Sequence, residues 1–232
     1  MKNNKISLTN VSKYYKMGET TVKALDDINL EINARELIAV LGPSGAGKTT
    51  LLNILGGITT PTNGSISVFG REIHGHSTAE LADYREERVS FIFQFFNLFP
   101  TLNARENVEI AIEMLGDKEE VREISDLYLK EVGLGDRMNH FPSQLSGGEQ
   151  QRVAIARALA KQPFTKGNLL ILSDEPTGNL DEKTGDKILK LIDRLTQESK
   201  ATFIIVTHNE QLLNKLDVKR IYIHDGKITK NQ

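Results

Sequence analysis

The chain contains no cysteine, which excludes disulfides and thiolate zinc sites and agrees with a reducing interior without requiring one. It also lacks an excess of either charge: 29 Lys+Arg stand against 31 Asp+Glu, a formal net charge of -2. Proteins that bind nucleic acid by neutralising phosphates are clearly basic, so a nucleic-acid partner is not expected. A nucleotide needs only a few local groups and stays allowed. No uninterrupted apolar run approaches the about 20 residues that a membrane-spanning helix requires. The start, Met1-Lys2-Asn3-Asn4-Lys5, leads into a strand-like run instead of an apolar signal stretch, so any membrane connection is expected through a partner. Internal repeats and low-complexity segments are missing as well. What remains, 232 residues, is enough to bury a real core, as one large domain or one domain with an insertion.

Apolar alternation in Ile6-Ser7-Leu8 and from Val22 to Ile32 predicts antiparallel strands near the N-terminus. The denser run Leu37-Ile38-Ala39-Val40-Leu41 reads as a strand buried on both faces. It stops at Gly42, and a helical pattern follows from about Lys48 through Leu51, Leu52, Ile54 and Leu55. Thr60-Pro61-Thr62-Asn63-Gly64 reads as a turn, with strands after it at Ser65–Phe69 and Val89–Phe93. From about Asn103 to Lys161 strand signals vanish and helical periodicity takes over, which predicts a helical insertion. Strands return at Leu169–Ser173, Thr202–Val206 and Arg220–Ile223, with a charged helix from Glu182 to about Gln197. Strands alternating with helices imply a wound, mainly parallel sheet.

Gly42-Pro43-Ser44-Gly45-Ala46-Gly47-Lys48-Thr49 fits the phosphate-loop pattern, and it lies between a buried strand and a helix, the context that supports it. Its glycines let successive N–H groups turn toward phosphate oxygens, and the helix dipole points the same way. Lys48 suits β/γ-phosphate charge and Thr49 suits Mg²⁺. The plainer alternative is a glycine-rich turn with a solvent-facing lysine. Far downstream, Leu169-Leu170-Ile171-Leu172-Ser173 ends in Asp174 and Glu175. Ligands of wound sheets sit at the carboxyl ends of strands, which brings both acids beside the loop. Side chains alternate along a strand, so the two divide the labour: Asp174 for the Mg²⁺ shell, Glu175 for the attacking water. By itself this pair is equally a solvated turn before Pro176. His208 follows the next apolar strand and reaches the same edge, where it contacts the γ-phosphate or orders the water; a lone strand-end histidine is more often structural. His74, His76, His140 and His224 read as surface residues.

Leu145-Ser146-Gly147-Gly148-Glu149-Gln150 precedes a helical run, Gln151 to Leu159, and it resembles the signature motif of ABC transporter ATPases. The landmarks of that family occur in order along nearly the whole chain: the phosphate loop, Gln94 as the Q-loop glutamine, the signature, Asp174-Glu175, Gly178-Asn179-Leu180-Asp181 as the D-loop and His208 as the switch histidine. The resemblance adds Thr50 to the phosphate-binding residues Gly42–Thr49, places Gln94 beside Thr49 and Asp174 at Mg²⁺, and gives Glu175, His208, Lys48 and Gln94 the catalytic roles. Tyr15 resembles the aromatic that stacks on adenine, with Tyr14 leaving the register open; such stacking is worth about 1–3 kcal/mol. Ser146, Gly147, Gly148 and Asp181 would meet ATP held by an opposite subunit, so each site is completed only in a homodimer.

Local physics bears on the signature independently. Ser146 and Glu149 form a capping-box pattern, so helix capping alone accounts for them. Two glycines in a first helical turn lower helix propensity by roughly 1 kcal/mol each, which favours a close phosphate approach. The family more often has Gln where Glu149 stands; its charge weakens the sandwich unless capping absorbs it. Phe164-Thr165-Lys166-Gly167-Asn168 lengthens the approach to the acidic strand, and Phe95 stands where a polar residue is commoner. Asp181 also reads as an N-cap.

The resemblance implies an α/β fold: a P-loop NTPase core with a wound, mainly parallel sheet, an N-terminal antiparallel β subdomain and an inserted α-helical subdomain. One ATPase domain would span 1–232, with its core at 1–102 and 163–232 and the helical part at about 103–162. It also implies ATP and Mg²⁺, a separate transmembrane permease and a place on the cytoplasmic face of the membrane. Phe96-Asn97-Leu98 and Glu175 to Asp181 are similar to the subgroup serving lipoprotein release, macrolide or antimicrobial-peptide efflux and cell-division signalling. That favours export or transmembrane mechanotransmission over import, with a soluble non-transport ABC ATPase as the second class and a phosphate-loop kinase or switch as the third. Phe95, Phe96 and Phe99 are divided between core packing and a permease-docking groove; Phe91 and Phe93 are expected in the sheet core.

Overall fold

The computed structural model describes residues 4–208, 210–214, 216 and 218–231; Met1 to Asn3 of the N-terminal stretch fall outside them. Two sheets organise the described residues. The first is antiparallel and joins β1 (Lys5–Met17), β2 (Thr20–Asn33), β4 (Asn63–Val68) and β5 (Arg71–Glu72) in the order β2-β1-β4-β5. The second runs β10-β9-β3-β8-β7-β6, with β3 (Leu37–Leu41), β6 (Val89–Ile92), β7 (Leu169–Asp174), β8 (Ala201–Val206) and β9 (Lys219–His224) parallel. Only β10 (Lys227–Asn231) runs against its neighbour.

The three central strands are buried on both faces because apolar side chains alternate between two cores. Ile38, Val40, Leu170, Leu172, Ile204 and Val206 face the first sheet and α1 (Lys48–Leu55), while Ala39, Ile171, Phe203 and Ile205 face the other helices. Each buried aliphatic side chain contributes about 1.5–3 kcal/mol, so this double burial anchors the sheet edge that carries the loops. The helical side comprises α3 (Ala104–Glu109), α4 (Lys118–Glu131) and α5 (Gly147–Leu159), followed by α6 (Glu182–Glu198) and the short α7 (Glu210–Leu213). Val153, Ile155, Ala156 and Leu159 of α5 belong to one apolar cluster with β7 and β8, so the helical insertion is packed continuously onto the sheet.

Three local features differ from the sequence reading. Asn63 and Gly64, read as turn residues, already pair with β1, Asn63 opposite Ser12. A helix, α2 (Thr78–Arg88), occupies a stretch that had no assigned element. It buries only Leu81 and Tyr84, too few apolar positions for a visible period, and starts instead on a capping box of Ser77 and Glu80. Phe93, expected in the core, is exposed and stacks on the half-buried Phe91 with ring centroids 5.6 Å apart.

Candidate functional site

Strand order does the assembling. Because β8 lies between β3 and β7, and β6 flanks β7, four consecutive strand ends deliver the loop after Leu41, His208, Asp174 with Glu175, and Gln94 to one edge. There they line a cavity of about 430 Å³ together with Ser44, Gly45, Gly47, Lys48, Thr49 and Thr50. The outer wall is Val22, Lys23 and Ala24 of β2, residues that no sequence motif marks because their contribution depends on how the first sheet folds over the second.

The loop glycines serve two purposes. At Gly42 (φ 151°) and Gly47 (φ 107°) a Cβ would fall 2.1 Å from the Ile223 carbonyl oxygen and 2.2 Å from that of Ala24. These two let the loop seat between β9 and β2. Gly45 (φ 78°) has nothing within 4 Å of its Cβ position and leaves the cavity side of the loop open to a ligand. Lys48 is buried, and its Nζ donates to the carbonyls of Gly42 and Pro43 at 2.8 Å each. An ammonium has three N–H donors, so one is left for the cavity.

The two acids meet different partners, though not through strand alternation: β7 ends at Asp174, and Glu175 turns out of it in a left-handed conformation. Thr49 Oγ1 donates to Asp174 Oδ2 at 3.2 Å. Burial pushes the Asp174 carboxyl above its ordinary value and the charge of Glu175 adds to this, against the lowering hydrogen bond from Thr49. Glu175 takes a positive φ of 49°, and its N–H donates to the Val206 carbonyl at 2.9 Å. For a residue with a side chain this conformation costs of order 1–3 kcal/mol, and the anchoring bond to β8 holds it. His208 Nδ1–H donates to Glu175 Oε1 at 2.8 Å, a carboxylate being acceptor only. Glu175 Oε2 is buried and has no partner among the described residues. Gln94 closes that side, its Nε2 3.4 Å from Asn179 Oδ1 while Asn179 Nδ2 donates to the Gln94 carbonyl at 2.8 Å.

Other expected site residues lie outside the cavity lining: Gly42, Pro43 and Ala46 of the loop itself, and Tyr15, Ser146, Gly147, Gly148 and Asp181. Tyr15 pairs with Val22 across β1 and β2, next to the cavity mouth, while the Tyr14 hydroxyl donates to Asp26 at 2.9 Å. Ser146 caps α5: its N–H and hydroxyl reach Glu149 Oε2 at 2.8 and 2.7 Å, and these bonds hold the Glu149 carboxyl below its ordinary value. Gly148 has a packing reason of its own, since a Cβ would stand 2.6 Å from Thr184 Cγ2. Asp181 caps α6 through Thr184 N at 3.1 Å. The segment 164–168 precedes β7 and lies at the opposite end of that strand from Asp174, with Asn168 bonded to Asn4.

Beside β6 a second cavity of about 400 Å³ is lined by Phe91, Phe93, Asn97, Ala111, Arg157 and Lys161, among others. Phe95 (73% exposed) and Phe99 (50%) are at the surface. Phe96 is half-buried at φ 58°, and its carbonyl and that of Asn97 accept from Arg157 at 2.8 and 2.6 Å.

Residues 25–178 match the family described as ABC transporter. Over 225 residues the chain is 45% identical to an uncharacterized ABC transporter ATP-binding protein of Thermotoga maritima, covering 96% of this chain and 93% of that one. It is 41% identical to the lipoprotein-releasing system ATP-binding protein LolD of Shewanella frigidimarina, covering 95% and 90%. Among solved structures, the ATP-binding cassette MJ0796, from Methanocaldococcus jannaschii, superposes with a TM-score of 0.84 at 40% identity, covering 98% and 97%; it was solved as a dimer in a post-hydrolysis state bound to ADP and Pi. A phosphate loop, two acids with separate partners, and this likeness over nearly the full length place the chain in the ABC transporter family, as an ATP-binding and ATP-hydrolysing subunit.

Proposed function

We propose that two copies of this chain close over two ATP molecules and that the cycle drives a separate membrane subunit toward export or transmembrane mechanotransmission. The carrying observation is a division of the site. Phosphate loop, acids and His208 converge on one cavity, while the capped turn Ser146-Gly147-Gly148 stands outside it with its N–H groups at a helix start. A second subunit's cavity is the fitting receptor for that turn. MJ0796, solved as a dimer bound to ADP and Pi, supports an assembly of two copies.

In each monomer the Gly42–Thr50 loop holds the phosphates through backbone N–H groups, with the free Lys48 donor on the β/γ oxygens. Tyr15 stacks on the adenine beside Val22. The donor set fits Mg²⁺: Thr49 already meets Asp174, a cation there would offset the cost of keeping that buried carboxyl charged, and the ion takes only one or two protein carboxylates, with Gln94 nearby. When bound it supplies positive charge to the phosphate oxygens. Glu175 Oε2, without a partner, accepts the proton of the attacking water, and the His208 Nδ1–H bond keeps Oε1 turned away from it. Lys48 and the opposite subunit's Ser146 stabilise charge spreading over the γ-phosphate. Glu149 stays absorbed in capping, so its charge is spent on Ser146 and the α5 start.

The chain sits on the cytoplasmic face of a membrane through its partner; among the described residues no helix is long and apolar enough to cross one. The groove of Phe91 and Phe93 takes the membrane subunit's cytoplasmic segment, with Phe95 and Phe99 exposed in the segment that follows β6. Glu175→Gln tests the whole reading: it should retain ATP binding, lose about 10²–10⁴-fold in turnover, and accumulate as a dimer in light scattering. Intact ATP binding with a persistent monomer would sink the two-subunit site.

A further inference from the structure

The buried residues of α5 are apolar except at one position. Gln151 has no exposed surface, and neither its Oε1 nor its Nε2 meets a hydrogen-bond partner among the described residues. An amide has four hydrogen-bonding sites, and burying all of them unpaired is rare in native proteins because the lost hydration is not replaced. A plain packing position would carry a methionine or leucine here.

Its surroundings are informative. Gln151 stands three and four residues after Gly148 and Gly147, on the same helix face, and helical side chains lean back toward the N-terminus. Space above those glycines is bounded by Thr184, Leu180 and Phe96, at 2.6, 3.3 and 3.7 Å from the Cβ positions. So the amide lies where three segments meet: the signature turn, the residues just after Gln94, and the link from Glu175 to the start of α6. Nearly two turns further along, Arg157 of the same helix ties the Phe96 and Asn97 carbonyls to α5. Each of these segments carries a residue assigned to the ATP site.

We infer that Gln151 is a positioning residue for ATP hydrolysis: its amide gains its hydrogen bonds only when the signature turn, the post-Gln94 segment and the Leu180 turn rearrange on closure of the ATP dimer. The inference rests on the two-subunit reading above. In the present arrangement the bare amide biases the chain against staying put, and in the closed one it locks the turn that touches the partner's phosphate.

The test uses Gln151→Met, nearly the same shape without the polar atoms, on the Glu175→Gln background. Its unfolding midpoint should rise by a few degrees, since the uncompensated amide is gone. Monomer affinity for a fluorescent ATP analogue should stay within about twofold, and ATP-driven dimerisation should weaken about tenfold or more. A lowered midpoint would mean the amide is already satisfied, by trapped water for instance, and an unchanged dimer constant would mean it does not act in closure; either overturns the inference. If Glu175→Gln alone fails to dimerise, the two-subunit reading falls instead. Should the methionine variant not fold, exchange of the Gln151 side-chain amide protons in Glu175→Gln decides. ATP should slow it at least about tenfold, and no change would overturn the role.

Discussion

At the residue scale, the site is built from conformations that ordinary residues avoid. Gly47 combines a positive φ with a Cβ position 2.2 Å from the Ala24 carbonyl, so Gly47→Ala must strain the loop and push β2 outward. We expect a loss of about 1–3 kcal/mol, read as a lower denaturant midpoint with unchanged slope, together with weaker ATP binding. Glu149 is the family departure with a local explanation. Its bonds from Ser146 lower its proton affinity, and a carboxyl with a depressed folded value stabilises above its unfolded value of about 4.5. That stabilisation is lost as pH falls through the folded value. The stability gap between the parent chain and Glu149→Ala, about 1 kcal/mol for the lost hydrogen bonds, should therefore be full at neutral pH and shrink below about pH 4.5 in urea titrations.

At the scale of elements, phenylalanines close in sequence have different surroundings. Phe93 projects from the end of β6 into the groove, whereas Phe96 sits at a positive φ against the signature turn and lends its carbonyl to Arg157. Phe93→Asp should leave ATPase activity within about twofold while transport in membranes is lost. Phe96→Asp should lower both, because it disturbs the α5 start. Equal effects of the two variants on ATPase activity would refute the distinction. The helix α2 makes a related point. Its charged run hides a helix held by a capping box and by Tyr84, whose hydroxyl donates to the Leu55 carbonyl at 2.7 Å. Tyr84→Phe leaves that buried carbonyl short of a donor and should cost about 1 kcal/mol, measurable in the same denaturant assay.

For the whole molecule, chain order and spatial order diverge in a way that matters. Residues more than 120 positions apart, Thr49 and Asp174, meet because β3 and β7 both flank β8, and Glu175 meets His208 because β7 and β8 pair in parallel. The fold holds these groups rigidly on one side of the sheet and leaves the signature turn on a different surface. Under the proposed two-subunit site, ATP binding would belong to one chain and ATP hydrolysis to two.

Read alone, the residues specify a good deal. Leu37–Leu41 followed by the glycine loop and an apolar helix is legible as strand, turn and helix, since local chain stiffness and hydrogen bonding decide it, and the phosphate-loop pattern favours a cradle over a plain glycine-rich turn. The apolar run into Asp174-Glu175 is legible for the same reason, as is the Ser146 cap. Tertiary structure decided what short-range patterns cannot carry. It chose the strand neighbours that bring Gln94, Asp174, Glu175 and His208 to one cavity, and it made Val22, Lys23 and Ala24 a wall. It exposed Phe93, buried the Gln151 amide without a partner, and brought Arg137 to 3.6 Å from Glu149. Those outcomes depend on which surfaces pack together, and burial is a property of the packed whole that no window of sequence contains.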